Sequence, residues 1–285
     1  MRWKDGKRSS NVDDRRGKGG RNLAVGGGLG TIIIVIIAII MGENPLALLN
    51  SGQLNNQQKQ QSVNTSPEED EIADFSTVVL GYTEETWAAV FAENGLDYKE
   101  PRMVLFTAET QTACGVGAAS MGPFYCPADQ TIYMDLSFFK ELKDKFGAKG
   151  GDFAIAYVIA HEVGHHIQTL LGTTQKVHQM RTSGQYSKEE VNRLSVAVEL
   201  QADFFAGVWA KRTEEKYKVL EEGDIEEAMS AAAAVGDDAI QKRMRGYVTP
   251  ESFTHGSSEQ RMKWFNKGFQ TGDMNAGNTF EALLQ

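Results

Sequence analysis

The sequence predicts an α+β fold, mainly helical, with a small sheet placed ahead of the central helices and one apolar segment in front of the domain. Three observations predict it. Two β-type runs, PRMVLFTAE and FYCPADQTIYMDL, fall within residues 101–136. Amphipathic helical patterns surround them, each opened or closed by a capping signal. A charge-free stretch, LAVGGGLGTIIIVIIAIIMG, occupies residues 23–42.

In chain order, residues 1–22 carry eight Lys or Arg and three Asp, a balance of +5. They are polar and glycine-rich and read as a disordered, cytoplasmic basic tail. The chain as a whole carries −9, so the remainder carries −14. An acidic main domain argues against binding nucleic acid through a basic surface.

A helix over residues 23–42 would be about 30 Å long, the thickness of a bilayer core. It lacks the polar face that a helix of a soluble domain shows every 3.6 residues. No small-x-small cleavage site follows it directly, so a retained single-pass transmembrane anchor is expected rather than a signal peptide. Basic residues precede it, and Glu43 and the EEDE run at 68–71 follow. The positive-inside rule then leaves the N-terminus in the cytoplasm and the main domain on the external, periplasmic side of the inner membrane. Gly26 and Gly30 give a GxxxG spacing that could pair two anchors into a weak homo-oligomer. Residues 43–72 are poor in apolar side chains and read as a flexible linker. The folded domain is expected over 73–285.

Within that domain, TEETWAAVFAENG from Thr83 spaces Trp87, Val90 and Phe91 as a helix ending at Gly95. A strand follows in PRMVLFTAE, then a glycine-rich loop bearing Cys114, then a second strand around Thr131–Met134. Helices are expected over about Ser137–Phe146 and Asp152–Leu171. Ser187 and Glu190 form a capping box for a long helix reaching about Arg212. Asp224 and Glu227 open another in the same way, and a last helix starts near Ser257 and carries Trp264 and Phe265. No internal repeat is evident.

The chemistry concentrates in two of these helices. AYVIAHEVGHHIQTL, residues 156–170, contains HExxH. Positions i and i+4 on a helix point within about 40° of each other, so His161 and His165 can hold one zinc ion. Glu162 stands beside them, placed to take a proton from an attacking water. Apolar neighbours put the motif in the core, where unpaired imidazoles and a carboxylate would be costly without a cation. A catalytic zinc needs a third protein ligand and an open position. VAVELQADFFAGVWA, residues 196–210, sets Glu199 and Asp203 on one face of an apolar helix. Glu199 is assigned to the metal and Asp203 to the other ring nitrogen of a ligand histidine.

The pieces MRWKDGKRSSNVDDRRG, the glycine–isoleucine anchor, GPFYCPADQTIYMDLSFF, HEVGHHIQTLLG, ELQADFFAGVWA and SFTHGSSEQRMKWF occur in this order along nearly the whole chain. In them the sequence resembles the bacterial neutral zinc metallopeptidases, the YpfJ-like family, itself similar to gluzincins. The resemblance implies a zincin-like metallopeptidase domain with His161, His165 and Glu199 as Zn2+ ligands, Glu162 as catalyst and Asp203 behind a ligand, in agreement with the residue-level assignment.

The oxyanion formed in peptide hydrolysis needs a further donor. His255 and Arg261 in THGSSEQR are the candidates, although His255 reads equally well as a capping or surface residue. His166 and His178 read as structural. Cys114 and Cys126 could close a 13-residue loop by a disulfide worth about 3 kcal/mol, or remain two reduced buried thiols. The Thr131–Met134 strand is the expected edge for an extended peptide substrate.

The expected function is a membrane-anchored zinc peptidase acting on peptides or proteins. The alternative is a non-catalytic anchored scaffold that keeps zinc for stability. Glu162 separates them, because a structural site has no use for a base beside the metal.

Overall fold

The computed structural model describes residues 1–17 and 65–284. Strand β1 is Val12–Asp14, and α1, Pro67–Glu93, follows it. Next come β2 (Arg102–Phe106), a hairpin of β3 (Glu109–Thr112) and β4 (Gly115–Ala118), β5 (Phe124–Cys126) and β6 (Thr131–Asp135). The remaining elements are helical: α2 (Ser137–Asp144), α3 (Asp152–Leu170), α4 (Thr173–Thr182), α5 (Lys188–Tyr217), α6 (Asp224–Ala234), α7 (Asp237–Arg245), α8 (Ser258–Thr271) and α9 (Thr279–Leu284). The mainly helical α+β class is as expected.

The sheet has the order β1-β2-β6-β5, with β1–β2 and β2–β6 parallel and β6–β5 antiparallel. Side chains alternate across it. Met103, Leu105, Ile132 and Met134 join the main core with α1 and α3. On the other face Val104, Phe106, Tyr133 and Cys126 form a smaller cluster with Cys114 and Phe124. Burial on both faces explains the unbroken apolar runs of β2 and β6. Cys114 and Cys126 are bonded, tying the end of the hairpin to β5.

Three expectations are corrected. The linker ends earlier than residue 72: Ser66 and Glu69 form a capping box, with Pro67 next to Ser66, so α1 begins at Pro67 rather than Thr83. The Asp224/Glu227 capping box does not form. Gly223 is the N-cap, and the Asp224 carboxylate accepts from the Glu221 N–H instead.

The third correction concerns the N-terminus. Residues 1–17 are folded onto the domain rather than forming a disordered tail. β1 pairs with β2 through Val12↔Met103 to Asp14↔Leu105. Arg8 grips Asp74 at 2.6 Å through both Nε and Nη2, and Ser9 and Asn11 donate to Glu84. Arg16 reaches Asp70 and the Glu69 carbonyl at the start of α1. Two of the cations that suggested a cytoplasmic tail, Arg8 and Arg16, are thus engaged within the fold. One sheet contains β1 and the strands after residue 100, so a single membrane crossing between residues 17 and 65 would divide it. The expected placement of tail and domain on opposite sides of a membrane does not fit this sheet. The anchor expected at 23–42 lies outside the described residues, and among the described residues no helix is long and apolar enough to cross a membrane.

Candidate metal centre

The site forms where α3 crosses α5. Close approach requires a residue without a side chain in HEVGH: a Cβ on Gly164 would lie 2.8 Å from the Ala202 carbonyl oxygen and 2.9 Å from its Cα. The two backbones therefore touch one residue before His165 and one residue before Asp203.

At that crossing, His161 Nε2 lies 3.2 Å from Glu199 Oε2, and His165 Nε2 lies 3.6 Å from Glu199 Oε1. One ligand atom from each of His161, His165 and Glu199 falls within 4.8 Å of the others. The opposite ring nitrogens are occupied. His161 Nδ1 is 2.8 Å from Asp203 Oδ1, and His165 Nδ1 is 2.9 Å from Gln168 Oε1. Gln168 is oriented by donating its Nε2 to the Val198 carbonyl at 2.7 Å. The nearest partners of the two Nδ1 atoms, Asp203 and Gln168, offer acceptor oxygens, with the Arg261 Nη2 donor farther from His161 Nδ1 at 3.3 Å, so each neutral imidazole donates from Nδ1 and turns the Nε2 lone pair inward. Two inward lone pairs and a carboxylate leave no hydrogen to share among them. The donor set of two imidazole nitrogens and one carboxylate oxygen fits a zinc ion with a position left for substrate.

Without a metal, protons take the place of the cation. Burial would lower the His161 pKa, but the Asp203 charge and hydrogen bonds to Asp203 and Glu199 raise it to about 9. His165 is likewise raised by Glu199 against the effect of burial. Glu199, half-buried, is held well below the usual carboxylate range by the two histidines against the effect of desolvation. Glu162 is 7% exposed, and burial raises its pKa, partly offset by the histidines.

Behind His161 lies a buried polar cluster. Both oxygens of Asp203 receive the Arg261 guanidinium, Oδ2 from Nε at 2.8 Å and Oδ1 from Nη2 at 2.9 Å. The Tyr157 hydroxyl also donates to Asp203 Oδ1 and accepts from Arg261 Nη2 at 3.1 Å. Burial would raise the Asp203 pKa, but Arg261 and His161 bring it down to about 2. Arg261 reaches this point because α8 and α5 touch at glycines. A Cβ on Gly207 would lie 2.0 Å from the Phe265 carbonyl oxygen, and one on Gly268 would lie 2.0 Å from that of Phe204.

His255 sits on the loop before α8. Asp237 Oδ2 accepts the backbone N–H groups of Thr254, His255 and Gly256 at 2.7, 2.6 and 3.0 Å, fixing that loop. The ring Nδ1 is 3.0 Å from Thr254 Oγ1 and 3.4 Å from Asp237 Oδ1. Burial lowers the His255 pKa, but the Asp237 hydrogen bond and the charges of Glu199 and Asp237 raise it overall.

His161, Glu162, His165, Glu199 and Asp203 are thus brought together, with His255 near Glu199. Arg261 belongs behind His161, 4% exposed, and not on the open side where an oxyanion would form. His166 leaves the metal face, as expected, and bonds Tyr125 and the Lys99 carbonyl. His178 is exposed. The expected substrate edge moves: β6 is flanked on both sides, and β5 is the last strand, packed beside α3. Tyr157, Gln168 and Asp237 were not singled out from sequence. Tyr157 and Gln168 could have been, as polar side chains one turn before His161 and three residues after His165.

The family model described as "Putative neutral zinc metallopeptidase" matches residues 1–280. The Escherichia coli K12 protein YpfJ is 48% identical over 289 residues, covering 98% of this chain and 99% of its own. The Mycobacterium tuberculosis H37Rv protein Rv2575 is 46% identical over 194 residues, covering 65% of this chain and 64% of its own. No solved structure matches the chain. The match over almost the whole length places the chain in one family: it belongs to the family of the model described as "Putative neutral zinc metallopeptidase".

Proposed function

We propose that the chain is a zinc-dependent peptidase that hydrolyses peptide bonds in peptide or protein substrates. The convergence of His161, His165 and Glu199, with Glu162 buried beside them, carries this reading. Zinc held there would polarise the scissile carbonyl and acidify a coordinated water.

The chain's own residues supply the rest. Glu162 accepts a proton as water attacks and returns it to the leaving amine. Its raised pKa suits a group that must hold that proton during the reaction. Asp203 keeps His161 in the tautomer that presents Nε2, and Gln168 does the same for His165. His255 directs Nδ1 toward Thr254 and Asp237, and in its doubly protonated form, which the Asp237 hydrogen bond and the charges of Glu199 and Asp237 favour against burial, its Nε2–H is a donor for the oxyanion. An extended substrate pairs with the outer edge of β5, to which no strand among the described residues is bonded, and whose Tyr125 is tied to α3 through His166.

The segment at 23–42 is proposed as a membrane contact, with residues 1–17 and the domain on the same side. The Cys114–Cys126 disulfide favours the external, oxidising side.

The test is to purify the full chain, measure bound zinc, and assay casein cleavage before and after chelation. One zinc per chain, with cleavage lost on chelation and restored by zinc, supports the proposal. Bound zinc without cleavage of casein or a broad peptide library would favour a non-catalytic scaffold.

A further inference from the structure

We propose that Gln201 is a positioning residue for the metal ligand His165: it carries the polarity of the Gly277 carbonyl through Gln168 to the imidazole, and so ties zinc affinity to the segment that follows α8. The inference rests on the zinc-centre reading above and deepens it. His165 Nδ1 lies 2.9 Å from Gln168 Oε1. On its other side the Gln168 amide donates Nε2 to the Val198 carbonyl at 2.7 Å and to Gln201 Oε1 at 3.2 Å. Gln201 in turn donates its own Nε2 to the Gly277 carbonyl at 3.2 Å.

These bonds run in one direction only. A backbone carbonyl accepts and never donates, so the Gln201 amide must turn its NH2 to Gly277 and its oxygen to Gln168. The Gln168 NH2 then meets two oxygens, one for each of its hydrogens. Its own oxygen is left for His165, which therefore carries a proton on Nδ1 and turns the Nε2 lone pair to the metal. Val198 alone would leave one Gln168 hydrogen unpaired. Gln168 is 1% exposed, so that hydrogen would be a buried donor without a partner, which is costly. His161 is held in another way, by the ionised Asp203 and Arg261. On the His165 side every member is a neutral amide, and the last is backbone.

Packing holds the Gly277 carbonyl in place. A Cβ on Gly277 would lie 2.3 Å from Phe204 Cδ1, so the segment lies directly on α5 there. The buried Thr279 donates its hydroxyl to the Ala197 carbonyl at 2.6 Å and its N–H to the Gly277 carbonyl at 3.0 Å. Ala197, Gln201 and Phe204 stand at i, i+4 and i+7 on α5, one stripe of that helix, and the segment follows it. Met274, earlier in the same segment, is buried in the main core. The stripe lies beside Glu199 and Asp203, so one helix supplies a ligand, the partner of one histidine and the relay to the other.

The test strips metal from the full-length protein with a chelator and reads zinc affinity by competitive chelator titration, with melting of the metal-free form alongside. Gln201→Leu should bind zinc about 5-fold more weakly, the effect of one hydrogen bond. Thr279→Val should weaken binding in the same direction by loosening the segment. Gln168→Leu should bind about 10–100-fold more weakly, as for a direct partner of a ligand histidine. Because the relay acts through Gln168, adding Gln201→Leu to Gln168→Leu should weaken binding no further. Replacing the buried Val208 with Ala, two turns along α5 from Gln201, should lower melting and leave zinc affinity unchanged. Should Gln168→Leu fail to fold, the comparison of Gln201→Leu with Val208→Ala decides. Wild-type affinity in Gln201→Leu, additive losses in the double variant, or equal weakening in Val208→Ala would overturn the relay and leave the zinc centre standing. A wild type that takes up no zinc would overturn the centre and the relay together.

Discussion

His161 Nδ1 lies 2.8 Å from Asp203 Oδ1, and that same carboxylate is held on both oxygens by Arg261. Orientation of a metal-facing imidazole therefore depends on a residue from α8, a helix distant in sequence from HExxH. Arg261 acts as a positioning residue through Asp203.

Replacing Arg261 with Gln should leave Asp203 buried without its counter-charge. The expected loss is about 3–5 kcal/mol of stability, as for one partner removed from a buried pair. Zinc affinity should fall about 10–100-fold. Melting and competitive chelator titration read the two effects separately. Unchanged zinc affinity in a folded variant would mean that Asp203 keeps His161 aligned unaided.

Zinc binding should release protons. Against the effect of burial, the His161 pKa is raised to about 9 by Asp203 and Glu199, so at pH 7 the metal must displace a proton from that ring, and Glu199 raises His165 in the same direction. At least about one proton per zinc should appear at pH 7. Affinity should weaken as pH falls and strengthen as it rises toward 9. Calorimetry in buffers of different ionisation enthalpy counts the protons directly, and a count of zero would contradict a protonated His161 in the metal-free site.

Gly164→Ala places a methyl 2.8 Å from the Ala202 carbonyl oxygen. Separation of α3 from α5 should cost about 1–3 kcal/mol and weaken zinc binding by moving Glu199 away from the histidines. A variant with full stability and full zinc affinity would show that the crossing tolerates a side chain.

Reduction of Cys114–Cys126 should lower stability by about 3 kcal/mol. The loss falls on the hairpin face of β5 and β6, next to Tyr125 and its bond to His166. Reductant should lower the melting temperature of the wild type and have no effect on a Cys114→Ser, Cys126→Ser double variant.

Much of the site was legible because helical spacing is rigid. His161 and His165 at i and i+4, and Glu199 and Asp203 at i and i+4, fix which side chains share a face wherever the helices go. The crossing itself was not legible, because nothing in HEVGH or ELQAD says that Gly164 meets Ala202. Arg261 was found but misplaced: its motif marks a helix start, whereas its role follows from the Gly207–Gly268 contact between α5 and α8. The N-terminus misled for a plain physical reason. A cluster of Lys and Arg ahead of an apolar run is the signature of a cytoplasmic flank. The partners of Arg8 and Arg16, Asp74 and Asp70, lie more than fifty residues away in sequence. A purified fragment beginning at residue 73 would lack β1 and the first turn of α1, so the full chain is the form in which the site is intact.

Glu162→Gln tests the central claim most directly, because it keeps the size of the side chain and removes the base while leaving His161, His165 and Glu199 in place. Zinc content and casein cleavage should be measured together on the wild type and this variant. The expected result is one zinc per chain in both, with cleavage reduced at least about 100-fold in the variant. Equal cleavage by the two proteins, or no zinc in either, would contradict a metal centre that hydrolyses peptides with Glu162 as its base.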